Sequence, residues 1–276
     1  MSAELIIGES WDAYTKSDAL GSSATAAWKT MSNEAWSSEF LEVTEGGRYV
    51  GASSKYAAGG AGLDALVTKN KSFEDCFVTS PFKDFKTNEA KAWRDVQISA
   101  GREVVTEKQV REIRAAEKRA NEAIGILANG APYEFQATLR GEISGIKVQT
   151  RPDILIHAET PIFCDLKYVS QFDSFDRNVF DSRLEIQLAL GSSLAIEAGI
   201  LAHRMAFLVI ESETEQPRSD VIFVDDIDLL HMRRKLATRL RQISETRDSA
   251  IGFVDVVQFR TLRLPGWQRK QLEEAE

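Results

Sequence analysis

The sequence predicts a single α/β domain with a central mixed sheet, helices on both faces and an N-terminal helical elaboration that covers the functional cleft. Three observations carry this. A long stretch over 106–130 repeats its apolar residues with helical period, and residues 133–157 alternate with period two. A second helical pattern over 176–202 then leads into two further apolar strands.

Residues 1 to about 90 read as short helices and loops. Ser22 or Ser23 is placed to cap a helix through Trp28 and Met31, and the small-residue run AAGGAGLDAL follows. In TEKQVREIRAAEKRANEAIGILANG, Thr106 and Gln109 form a capping-box pattern. Val110, Ile113, Ala120, Ile124 and Leu127 make an apolar stripe that ends at Gly130, as expected of a helix docked on a sheet. From Tyr133, YEFQATLRGEISGIKVQTRPDILIH alternates around a Gly-containing turn and PIFCDLKYV adds a strand, so a three-stranded meander is expected. Leu184, Leu188, Leu190 and Leu194 mark the next helix, MAFLVIES and DVIFVDD two more strands, and 227–247 a final basic helix. No repeat or linker divides the chain, so residues 1–276 are expected to form one domain, mainly helical over 1–130 with its core over 131–276.

Bulk properties exclude several classes. No run approaches the roughly 18 apolar residues of a membrane span, and the N-terminus lacks a basic signal region, so a soluble cytoplasmic protein is expected. Cys76 and Cys164 lack CxxC spacing and are expected to be reduced, buried thiols. His157, His203 and His231 have no zinc-ligand spacing and are expected to be structural or exposed. The net charge of −8 argues against a uniformly basic nucleic-acid-coating surface but leaves room for a local basic path.

The chemistry-bearing segment is Arg151-Pro152-Asp153 followed by Asp165-Leu166-Lys167. Neighbouring strands lie about 4.8 Å apart, so an aspartate on each can share a divalent cation. Asp165 and Lys167 are two positions apart and emerge on one strand face. A hard-oxygen metal site beside an ammonium has the parts that phosphodiester hydrolysis needs: Lewis acid, water activation and charge relief. Asp153 and Asp165 are the expected Mg²⁺ ligands, the Leu166 carbonyl completes the shell, and Lys167 orients or deprotonates water. Glu134 could add a second-metal carboxylate, and the Gln187 amide is placed to bond Lys167 or a metal-bound water. A surface D-x-K pair is ordinarily a solvated edge. Here the apolar flanks of FCDLKYV predict burial, and charges are seldom buried without partners or function.

From the N-terminus to about residue 195 the chain resembles the exonuclease VIII or RecE-type branch of the PD-(D/E)xK superfamily, itself related to the RecB nuclease domain. The resemblance rests on Leu20-Gly21-Ser22-Ser23, GAGLDALV with Phe73 downstream, KAWRDVQISAGREVVT, Glu134 in YEFQATL, RPDIL, DLK and EIQLAL, in that order. It implies a restriction-endonuclease-like core, with Asp153 and Asp165 as metal ligands, Lys167 as the catalytic lysine, Gln187 as the motif glutamine and Glu134 as an upstream acidic residue. Family members commonly carry a His where this chain has Asp64. Its carboxylate can bind a metal through oxygen, or be a plain helix-surface charge.

The implied function is a Mg²⁺-dependent exonuclease, with Mn²⁺ as a substitute, that degrades linear double-stranded DNA ends 5′ to 3′. It would do so as a homo-oligomeric ring, trimer or tetramer, that hands single strands to an annealing partner in recombination. Two rivals stand beside it: a structure-specific or single-strand endonuclease of the same fold, and a non-catalytic DNA-end-binding protein. The basic helix from Met232 to Arg247 reads either as a DNA-facing surface or as a solvated face, and Trp267 in LPGWQRK as an exposed stacking aromatic or a subunit contact.

Overall fold

A computed structural model describes residues 3–21, 57–69, 71–175 and 182–249. The expected helix cap at Ser22 or Ser23 with Trp28 and Met31, and the Trp267 segment, lie outside these residues.

In chain order the elements are β1 (Glu4–Ile6), α1 (Trp11–Lys16), α2 (Ala57–Val67), α3 (Phe73–Cys76), β2 (Phe77–Thr79), α4 (Asn88–Ser99), β3 (Glu103–Val105) and α5 (Glu107–Ala128). Then follow β4 (Tyr133–Phe135), β5 (Thr138–Ile143), β6 (Ile146–Thr150), β7 (Ile154–Ile156), β8 (Ile162–Val169), α6 (Ser182–Glu197), β9 (Arg204–Glu211), β10 (Ser219–Phe223) and α7 (Asp226–Ser249). The part expected to be mainly helical therefore also contains three short strands, of which β2 and β3 pair in parallel.

The central sheet has five strands in the order β10-β9-β8-β7-β4. It is mixed: β8 and β9 run parallel, joined by the α6 crossover, and the other neighbours are antiparallel. One face carries Leu155, Phe163, Phe207 and Val209 against α6 and α7; the other carries Ile154, Cys164, Leu166 and Leu208 against α2 and α5. Because side chains alternate along a strand, the two faces fill two separate cores. The α5 helix starts at a Thr106–Gln109 capping box and ends at Asn129 in the left-handed region, one residue before Gly130.

The expected meander is corrected. The β5–β6 hairpin turns at Ser144-Gly145, both at positive φ, and joins β1 in its own antiparallel sheet. Two backbone features separate it from the central sheet. Gln136, at φ +54°, breaks the strand between β4 and β5, and Pro152, with no N–H to offer a ladder, breaks it between β6 and β7. Strand β4 consequently pairs with β7.

Cys164 is buried and free, while Cys76 is also free but half-buried, short of the burial expected. His157 and His231 are exposed, and His203 bonds Ser192 and the Ile200 carbonyl at 2.9 Å each, as expected of structural or exposed histidines. Among the described residues no helix is long and apolar enough to cross a membrane.

Candidate active site

The site grows from β8. Phe163, on the α6 side, fixes the face on which Asp165 and Lys167 follow, while Cys164 and Leu166 point into the opposite core. The β7–β8 register pairs Ile154 with Cys164, so Asp153, one residue before Ile154, comes level with Asp165. Asp153 Oδ2 accepts the Leu166 N–H at 2.6 Å. Asp165 is only 6% exposed, and its Oδ2 is ion-paired with Lys167 Nζ.

Helix α6 supplies the next contact. Gln187 Nε2 donates to Asp165 Oδ1 at 2.5 Å, and Gln187 Oε1 accepts from Lys167 Nζ at 3.4 Å. One amide thereby holds both members of the ion pair. Burial pulls the Lys167 ammonium toward deprotonation, but the charges of Asp165 and Asp153 outweigh it and hold its pKa above the ordinary lysine value.

The other side is closed by α2. Leu63 and Val67 anchor this helix in the core beneath β8, and Gly62 passes so close to the Phe77 ring that a Cβ would collide with it. Asp64, between them, comes within hydrogen-bonding reach of the Asp153 side chain. Gln136 spans the gap: its main-chain N–H donates to the Asp153 carbonyl at 2.9 Å, and its Nε2 donates to Asp64 Oδ2 at 3.3 Å. Burial, then the charge of Asp165, pushes the Asp64 carboxyl up to about 6. Burial and the charges of Asp165 and Asp64 push Asp153 well above the carboxylate range.

Three carboxylates outnumber the two cations, Lys167 and Arg151, that act on them when all are ionised. Asp64 Oδ1 is moreover buried with no hydrogen-bond partner. Hard oxygens under mutual repulsion, one of them orphaned, fit a divalent cation. Among the described residues no three His, Cys, Asp or Glu side chains already form a metal cage. Lys167 takes Asp165 Oδ2 and the Leu166 N–H takes Asp153 Oδ2, and each of these carboxylates keeps further lone pairs for a cation.

Of the residues singled out from sequence, Asp153, Asp165, Lys167, Gln187 and Asp64 thus converge, and Leu166 meets the site through its N–H. Glu134 lies apart: it pairs with Leu155, two residues beyond Asp153, on an edge strand, and is exposed. Gln136, two residues further along the same YEFQ segment, is the residue there that bonds Asp64 and Asp153. Sequence reasoning missed it, since its position depends on the left-handed backbone there. A cleft of about 720 Å³ bounded by His203, Arg204, Asp226 and Arg233 contains none of these carboxylates.

No family model matches this chain, and no curated protein matches it by sequence. Among solved structures it is similar to a provisionally named exonuclease from Eubacterium rectale, at TM-score 0.56 and 14% identity over 92% of each chain. It also matches SSO0001, at TM-score 0.28 and 12% identity over 64% of this chain and 84% of that one. VC1899 from Vibrio cholerae matches at TM-score 0.28 and 12% identity, over 90% of this chain and 60% of that one. The first match shows a shared mixed α/β fold; the other two are too distant to carry an argument.

Proposed function

We propose that this protein is a Mg²⁺-dependent nuclease of the PD-(D/E)xK type, acting as an exonuclease on linear double-stranded DNA. The observation that carries the reading is that Asp165, Asp153 level with it across the strand pair, and Asp64 on α2 lie near enough for their charges to act on one another, beside the Lys167–Gln187 pair. The fold shared with the Eubacterium rectale protein, and that protein's name, support it.

In this reading Asp64, Asp153 and Asp165 hold the cation, Mg²⁺ or Mn²⁺, and a bound cation supplies Lewis-acid polarisation of the scissile phosphate. Lys167 Nζ, held as an ammonium, orients the attacking water and offsets the charge that gathers on the phosphate, and the proton the water loses passes to solvent. Gln187 fixes the direction of that ammonium, and Leu166 N–H keeps Asp153 aligned. Water oxygen bonds to phosphorus as the bond to the departing sugar oxygen breaks. The 5′ to 3′ polarity, a ring of three or four copies and transfer of the product strand to an annealing partner extend this proposal by family resemblance.

The test is digestion of linear and circular double-stranded DNA with Mg²⁺ or EDTA, beside Asp165→Ala and Lys167→Ala. Metal-dependent loss of the linear form only, abolished by both substitutions, supports the exonuclease. Cleavage of circles moves the reading to an endonuclease of the same fold, and no cleavage with any divalent metal to a DNA-end-binding protein.

A further inference from the structure

We propose that the indole of Trp11 is a stacking platform for a nucleobase of the strand held at the Asp64–Asp153–Asp165 cluster, an inference that rests on the phosphodiester chemistry proposed above. Trp11 opens α1 and is 58% exposed, an unusual setting for a ring of this size. It stacks on Tyr14, with centroids 5.5 Å apart and planes 28° from parallel. Tyr14 is half-buried, and burial raises its phenol to about 12, so the support stays neutral.

The platform is fastened to the cluster. The Arg151 guanidinium lies 5.7 Å from the Trp11 ring centre and 5.5 Å from that of Tyr14. Its Nη2 donates to the Glu9 carbonyl at 2.8 Å, at the start of α1, and its Nε to the Gln136 carbonyl at 3.1 Å. Gln136 is the residue that bonds both Asp153 and Asp64. Trp11 is therefore tied through one arginine and one glutamine to the carboxylates, and the Arg151 charge acts on both Asp64 and Asp153. Arg151 Nη1 is left buried without a hydrogen-bond partner.

This juxtaposition matches the substrate's own pattern. Each nucleotide step presents a phosphate and, a few ångströms away, a flat apolar base. A site that holds the phosphate leaves that base needing a surface, and an exposed indole stacks any base because every base has a π-face. Arg151 adds a cation between the two.

The experiment measures binding of a labelled five-nucleotide oligothymidylate, and of the same backbone without bases, to the full-length protein in Ca²⁺. Wild type, Trp11→Phe, Trp11→Ala and Asp165→Ala are compared, with Mg²⁺ digestion of linear DNA run in parallel. Trp11→Ala should weaken the base-bearing ligand by about tenfold or more and leave the abasic one unchanged, while Trp11→Phe keeps most of the affinity. Unchanged binding of the base-bearing ligand by Trp11→Ala, or equal loss on both ligands, would overturn the platform. The nuclease reading fails separately: a wild type that never cleaves but loses base-dependent binding in Trp11→Ala keeps the platform and loses the nuclease. Normal cleavage with base-independent binding does the reverse.

Discussion

Gln187 and Asp165 are joined by a 2.5 Å hydrogen bond from helix to strand, and the same amide accepts a bond from Lys167. A neutral side chain with one donor and one acceptor used in opposite directions is the arrangement that keeps a carboxylate and an ammonium in fixed relative orientation. Gln187→Ala is expected to lower cleavage by about 10–100-fold, as loss of an orienting partner does. Asp165→Ala and Lys167→Ala should each lower it further, by on the order of 10²–10³ or more. Single-turnover digestion of end-labelled DNA ranks the three, and a Gln187→Ala rate equal to wild type would remove the orienting role.

Lys167 also compensates Asp165 in the metal-free protein. Lys167→Met should destabilise that form by up to about 3–5 kcal/mol, because one charge of a largely buried pair is left alone. Added Mg²⁺ should restore most of the loss. Thermal melts with EDTA and with Mg²⁺ give both numbers, and a deficit that Mg²⁺ leaves unchanged would argue against a cation beside Asp165.

The Asp64 carboxyl sits at about 6 in the fold against an ordinary 3.8, through burial and then the charge of Asp165. A raised acid binds more protons folded than unfolded, so its contribution to stability is fully present below about 4 and lost as pH rises through about 6. Without metal, wild type should therefore lose stability relative to Asp64→Asn between pH 4 and pH 7, by on the order of 2–3 kcal/mol. Parallel denaturant curves at the two pH values read the difference directly. A wild-type-minus-variant difference that does not change with pH would show that Asp64 titrates normally.

Gln136 combines a positive φ with hydrogen bonds to both Asp153 and Asp64. Gln136→Ala keeps the backbone strain and removes a donor from a buried carboxylate, at an expected cost of about 1–3 kcal/mol. Gln136→Gly relieves the strain and should be the milder of the two. Denaturant midpoints of the pair test this order.

Gly62 packs against Phe77 with no room for a Cβ. Gly62→Ala is expected to displace α2, costing about 1–3 kcal/mol and carrying Asp64 away from Asp153. Urea denaturation and calorimetric Mg²⁺ affinity should both fall. A stability loss with unchanged Mg²⁺ affinity would detach Asp64 from the cation site.

Period-two alternation located the strands well but not their partners. It marked residues 133–150 as extended because their side chains alternate, yet alternation is blind to which edge a strand meets. Pairing was decided at two joints. Pro152 cannot donate to a ladder, and Gln136 turns the chain into the left-handed region; only the first is visible as a residue type. Residues 227–247 were legible as a basic helix, and the structure shows what the charges did not: Met232, Leu236, Leu240 and Ile243 recur on one face and pack into the core against α6.

The sequence by itself determined that Asp165 and Lys167 share a face, since two positions along a strand fix that locally, and that apolar flanks would bury Asp165, with Lys167 half-buried beside it. It also placed Asp153 on a neighbouring strand through the short β7–β8 connection. Only the tertiary structure decided that Asp64 joins them, that Gln136 and not the exposed Glu134 bonds Asp64, and that Trp11 stands exposed beside Tyr14 and Arg151. Those positions depend on how α2 seats against Phe77 and how Arg151 reaches back to Glu9. Such through-space contacts join residues far apart in the chain, and no local periodicity encodes them.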